Sequence, residues 1–95
     1  MKFRRTQQFR DDFDRLLESN KKDVEEAFPY VVLALQGNDE YHRKYRIKRM
    51  EGHPNIWEGH VKINLCFTFH LGTDEDGKVI VFFRRIGTHQ IYKKP

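Results

Sequence analysis

The chain has 95 residues, 38% of them hydrophobic, with eight Phe, four Tyr and one Trp, and a formal net charge of +4. That length supports one domain around one core and excludes two. The single cysteine, Cys66, excludes an internal disulfide and suits a reducing cytosol. No apolar run is long enough to span a bilayer, and Met1-Lys2-Phe3-Arg4-Arg5-Thr6 turns polar at once, so neither a membrane segment nor a signal peptide is expected. Repeats and low-complexity stretches are absent.

In chain order, Lys2 to Arg5 fits a short first strand. Thr6 is a fair N-cap for a helix whose apolar residues Phe9, Phe13, Leu16 and Leu17 fall at i, i+4, i+7 and i+8. Asp11, Asp12, Asp14 and Arg15 would fill its wet face, and Ser19-Asn20 would end it. A second helix is expected from about Asp23, with Glu26 three residues later as in a capping box. Val24, Phe28, Val31, Val32 and Leu35 form its apolar stripe, and Pro29 predicts a kink or restart inside it. Gly37 is a natural C-terminal cap, after which Gly37-Asn38-Asp39 opens a loop to a sheet.

Beyond residue 42 the period changes to two: Tyr45 and Ile47 alternate with Arg46 and Lys48. From His60 to Leu71 alternation is strict. Val61, Ile63, Leu65, Phe67, Phe69 and Leu71 take one face, and His60, Lys62, Asn64, Cys66, Thr68 and His70 the other. By alternation alone this is one strand of twelve residues, long for a small domain. The Asp74–Gly77 turn then feeds a last strand, Val79 to Arg85. Two helices on one face of a small, mainly antiparallel sheet is the α+β architecture these elements predict.

The net charge hides an asymmetry. Residues 1–41 carry seven Lys/Arg against nine Asp/Glu, whereas residues 42–95 carry eleven against five. Such a field favours nucleic acid or an acidic protein partner, although an ordinary solvated basic surface has the same composition. Inside the basic half, the strand core Val79-Ile80-Val81-Phe82-Phe83 passes directly into Arg84-Arg85-Ile86-Gly87-Thr88-His89-Gln90-Ile91-Tyr92-Lys93-Lys94-Pro95. Cations, one imidazole and one phenol gathered after a glycine turn make a candidate phosphate-handling site. The plain alternatives are a turn histidine bonded to its own backbone, and Tyr92 plugging the sheet edge beside Ile91. If the strand continues regularly, Arg84 and Arg85 point to opposite faces and only one lines the polar side. The five histidines show no metal-ligand spacing, and one cysteine makes no zinc knuckle, so neither metal nor cofactor is expected.

This ending resembles the C-terminus of the RelE/ParE superfamily of bacterial toxins, whose RelE-like and YafQ-like branches run a final strand into an Ile-Gly-Thr-His turn, an apolar pair and a basic tail. Lys48-Arg49-Met50-Glu51-Gly52-His53-Pro54-Asn55-Ile56-Trp57-Glu58 is similar to the family's basic strand, Gly-containing turn and aromatic. Phe67-Thr68-Phe69 is similar to its central strand. The resemblance spans nearly the whole chain. It implies a tight turn near Asn64 that splits the long alternating stretch into two antiparallel strands.

The function it implies is that of a type II toxin–antitoxin toxin: a cytoplasmic, metal-independent endoribonuclease cleaving messenger RNA on the ribosome, held in check by an acidic antitoxin. Cleavage by 2′-hydroxyl attack with general acid–base catalysis would fall to His89, Tyr92 and His60. Lys62, Arg84, Arg85, Lys48, Lys93 and Lys94 would bind RNA. One departure stands out: Cys66 occupies the place where RelE-like members carry a phosphate-stabilising arginine, and a thiol is neither a permanent cation nor a bidentate donor. A ParE-like gyrase inhibitor, or a catalytically attenuated RNA- or protein-binding member of the fold, is the alternative that this departure keeps open.

Overall fold

The computed structural model describes residues 1–95. The chain folds as β1 (Lys2–Arg5), α1 (Gln7–Asp14), α2 (Glu18–Leu35), α3 (Asp39–Lys44), β2 (Lys48–Arg49), β3 (Trp57–Lys62), β4 (Leu65–Thr73), β5 (Val79–Gly87) and a 3-10 helix, His89–Lys93. The strands form one sheet in the order β1-β5-β4-β3-β2. β1 runs parallel to β5 and every other pair is antiparallel. The expected α+β architecture is therefore present, with a third helix. No helix is long and apolar enough to cross a membrane.

Thr6 caps α1 as expected, its hydroxyl accepting from the Phe9 amide at 3.2 Å. Other helix boundaries differ from the sequence reading. α1 stops at Asp14, and α2 begins at Glu18 behind Leu17, which has no capping side chain and is largely exposed. Ser19 and Asn20 thus lie inside α2 instead of ending a helix, and the Asp23–Glu26 pair sits a turn within it. α2 also runs through Pro29 without a break. Its inner face, Val24, Ala27, Val31 and Ala34, is buried, so packing outweighs the proline's local penalty. After Gly37 at φ 111°, Asn38 caps α3 by accepting from the Tyr41 amide at 3.1 Å. Residues 42–44 are therefore helical, and Tyr45 and Ile47 are buried beside the helix end instead of alternating along a strand.

The core joins α1 and α2 to β4 and β5 through phenylalanines. Phe28 lies 4.9 Å from Phe83, Phe9 lies 5.8 Å from both Phe28 and Phe83, and Phe67 stands edge-on to Phe28 at 5.9 Å. The long alternating stretch is split as the resemblance implied: β3 and β4 form a hairpin turning at Ile63-Asn64, with Gly59 opposite Phe67. The Phe67 ring lies directly over Gly59. A Cβ added at Gly59 would come within 2.7 and 2.8 Å of two ring carbons. Phe67 is completely buried, so the ring has nowhere to go. Gly59→Ala should therefore cost about 1–3 kcal/mol of stability, the range for overpacking. An unchanged denaturation midpoint would refute this packing.

Two irregularities decide where charged side chains point. Between Thr68 and Phe69 the β4–β5 register slips, Arg85 pairing with Thr68 while Phe83 pairs with Phe69. Arg84 is the extra residue. Strict alternation puts Arg84 and Arg85 on opposite faces, but the bulge sends both to the face away from the core. A second slip, between His60 and Lys62, removes Lys62 from the face that His60 occupies.

Candidate functional site

The face away from the core is not open. Gly87 closes β5 opposite Cys66, and Thr88 then caps the 3-10 helix, its hydroxyl accepting from the Gln90 amide at 3.4 Å. That helix folds back over β4 because Ile91 is buried against the sheet, with its Cγ2 only 3.1 Å from where a Cβ on Gly87 would stand. Past it, the Pro95 carbonyl accepts from the Thr68 hydroxyl and from Arg84 Nε, each at 3.0 Å. Cys66 and Thr68 lie on the polar face, as alternation requires. They are nevertheless fully buried, because the C-terminal residues cover them.

This return brings three distant residues together. His60 on β3 pairs across the strands with Cys66 on β4, and His89 arrives above both from the end of β5. His89 Nε2 lies 3.6 Å from Cys66 Sγ, and the Tyr92 hydroxyl lies 3.4 Å from His60 Nε2. The two imidazole centroids are 5.6 Å apart, and Tyr92 stands edge-on to His89 at 5.4 Å. His60 is fixed from behind by its amide, which donates to the Tyr45 carbonyl at 2.7 Å.

Beside these groups opens a cleft of about 600 Å³, walled by Arg43, Arg46, Lys48, Glu58, His60, His89 and Tyr92 among others. Its cations come from the end of α3 and the turn into β2. Arg46 is the one non-glycine residue with positive φ, at 50°, a strained conformation of the kind found at functional sites. Glu58, buried on the floor, faces Lys48 Nζ at 3.9 Å.

Burial dominates the electrostatics of this site. It lowers the His60 pKa against the pull of Glu58, and His89, Arg46 and Lys48 push the same way as burial. Burial also raises the Cys66 thiol, a shift the Tyr92 hydroxyl partly opposes. Tyr92 is pushed far above the ordinary phenol range, by burial first and then by Cys66 and Glu58. At neutral pH the recessed groups are a neutral imidazole, a thiol and a phenol. His60 Nδ1 is buried and has no hydrogen-bond partner.

Of the residues singled out in the sequence, His89, Tyr92 and His60 converge, and Lys48 lines their cleft. Lys93 and Lys94 are exposed at the end of the chain, outside the cleft wall. Three expected RNA contacts are engaged elsewhere. Lys62 binds Asp23 of α2 at 2.6 Å. Arg84, besides Pro95, contacts His70 Nδ1 at 3.0 Å. Arg85 donates to Asp12 at 2.7 and 3.2 Å and to the Lys94 carbonyl at 2.9 Å. Asp12, placed on the wet face of α1 by its spacing, is instead buried and also accepts from the Ile86 amide at 3.2 Å. The Arg85–Asp12 pair thus anchors α1 to the end of β5. Arg43, Arg46 and Glu58 were missed. The basic run Arg43-Lys44-Tyr45-Arg46-Ile47-Lys48-Arg49 was the available signal for the arginines.

In sequence, the chain matches no protein-family model and no curated protein. Solved structures share its fold. A YoeB/ParE toxin from Agrobacterium tumefaciens superposes with a TM-score of 0.67 at 13% identity, over 94% of this chain and 99% of the other. YafQ from E. coli strain BL21(DE3) superposes with a TM-score of 0.67 at 16% identity, over 95% and 94%. YafQ in the E. coli DinJ–YafQ toxin–antitoxin complex gives a TM-score of 0.67 at 13% identity, over 93% and 91%. The chain has the RelE/ParE-like toxin fold from end to end.

Proposed function

We propose that the chain is the toxin of a type II toxin–antitoxin pair and an endoribonuclease acting on messenger RNA in the ribosome. The observation that carries this reading is the convergence of His60, His89 and Tyr92 beside a cleft rimmed by Arg43, Arg46 and Lys48. Two imidazoles within one phosphodiester's reach are what in-line RNA cleavage needs: one group removes the 2′-hydroxyl proton, the other protonates the departing 5′ oxygen. The 2′ oxygen forms a bond to phosphorus as the bond to the 5′ oxygen breaks, leaving a 2′,3′-cyclic phosphate and a 5′-hydroxyl. His60, recessed and held against the Tyr92 hydroxyl, suits the base. His89, exposed at the cleft mouth, suits the acid.

Charge on the non-bridging oxygens has to be met by groups already in place, where preorganised electrostatics contribute most. Arg46 and Lys48 take that role here. Position 66 is buried beneath the 3-10 helix, outside the cleft wall, so in this reading the cations of that wall serve in place of a β4 arginine. Cys66 carries no step: it is buried, and burial keeps its thiol protonated.

The cognate partner in this reading is a short acidic antitoxin on the basic half of the chain. The DinJ–YafQ complex is a precedent on the same fold, and an acidic chain is favoured by long-range attraction. The test is incubation of the purified protein with translating ribosomes and a defined message, beside a gyrase supercoiling assay. Cleavage leaving cyclic-phosphate ends is the expected result. Gyrase inhibition with intact message would replace this reading with the ParE-like one.

A further inference from the structure

No spacing along the chain announces a metal site, yet the fold gathers three possible ligands, from β3, from β4 and from the 3-10 helix. One ligand atom each from His60, Cys66 and His89 lies within 4.8 Å of the others. We propose that these three side chains form a zinc site, and that zinc bound there silences the nuclease by occupying both imidazoles.

The donor set fits the metal. Two imidazoles and a thiolate, with one position left open, is a zinc donor set, borderline in softness between nitrogen and sulfur ligands. Tetrahedral bonds of about 2.0 Å to nitrogen and about 2.3 Å to sulfur place those two ligand atoms about 3.5 Å apart. Cys66 Sγ and His89 Nε2 already stand 3.6 Å apart. The His60 ligand atom lies within 4.8 Å of both, so its ring moves toward them to close the site, and its buried Nδ1 has no hydrogen bond to give up. Tyr92 and Glu58 border the same space, and solvent reaches it from the cleft.

The inhibitory half of the proposal rests on the nuclease reading. An imidazole that ligates zinc through one nitrogen has given up the lone pair that moves the proton, so both the base and the acid are withdrawn together. The thiol is what distinguishes this site from a mere pair of surface histidines. It lies beneath them, out of contact with RNA, and contributes the strongest bond.

The experiment uses the full-length chain stripped of metal and titrated with Co²⁺ as a spectroscopic substitute for zinc. A thiolate-to-cobalt charge-transfer band in the near ultraviolet is expected, with tetrahedral visible bands, all bleached by equimolar Zn²⁺. Cys66→Ser should abolish the charge-transfer band, and His60→Ala or His89→Ala should each weaken cobalt binding at least about tenfold. Saturating Zn²⁺ should then lower the RNA cleavage rate of the wild type by roughly 10²-fold or more, as withdrawing a positioned acid–base pair predicts, with full recovery on chelation. In Cys66→Ser, the ratio of rates with and without the same zinc should return toward one.

A wild type without the charge-transfer band overturns the site. So does a band indifferent to both histidine variants. A band together with zinc-insensitive cleavage overturns the inhibition. A band in a protein that cleaves no RNA when metal-free upholds the site and removes the nuclease reading instead, so the two failures are distinguishable.

Discussion

His89→Ala lowers the rate of message cleavage by roughly 10²–10⁴-fold, the range for loss of a positioned acid or base, and leaves the melting temperature nearly unchanged. Both halves of that expectation come from placement. His89 is exposed, and its polar contact is the Cys66 sulfur at 3.6 Å, so little packing is lost with the ring. Ile91, two residues on, holds the 3-10 helix down and remains in place. The decisive measurement is single-turnover cleavage on programmed ribosomes, with thermal unfolding of the same preparation. A folded variant that cleaves at the wild-type rate would take His89 out of the mechanism. Tyr92→Phe provides the comparison that separates chemistry from packing: it keeps the ring against His89 and deletes only the hydroxyl that faces His60 at 3.4 Å.

Cys66→Arg destabilises the protein by several kcal/mol and does not raise its activity. On an open polar face this substitution would restore the arginine of RelE-like enzymes and add a cation to the phosphate site. In the folded chain, position 66 has no exposed surface, since the 3-10 helix lies across it. A guanidinium there is either buried without a dedicated carboxylate or lifts the helix away and scatters His89 and Tyr92. Glu58, the nearby carboxylate, already faces Lys48. An uncompensated buried charge costs about 3–5 kcal/mol. For a domain of this size that lowers the melting midpoint by more than about 10 °C. Cys66→Ser, which conserves volume, is the control and should melt much closer to the wild type. A Cys66→Arg protein that melts normally and cleaves faster would show that the C-terminal segment leaves room for the missing arginine.

What the sequence by itself determined follows from period and punctuation. Alternation from residue 60 to 71 sorted Phe67 and Phe69 from Cys66 and Thr68 correctly, because side chains on a strand have only two directions. Thr6 and Gly37 marked helix ends because capping is local chemistry. His89 and Tyr92 belonged to one short stretch, and their proximity to each other needed no long-range contact. The resemblance to a toxin family rested on such local segments and predicted the hairpin at Asn64 and the two-layer fold.

Only the tertiary structure decided the rest. Whether a face is wet depends on what covers it, and Cys66 and Thr68 are dry because the C-terminal residues return across β4. Asp12 reads as surface from its helical spacing, yet a cation arriving from β5, 73 residues later, makes it a buried anchor. Arg85 and Lys62 escape the parity reading because each follows a strand irregularity, and one inserted residue reverses every later inference drawn from parity. The His60–Cys66–His89 cluster is invisible along the chain because its members come from β3, from β4 and from beyond β5. Strand pairing joins the first two, and the return of the 3-10 helix over β4 brings the third.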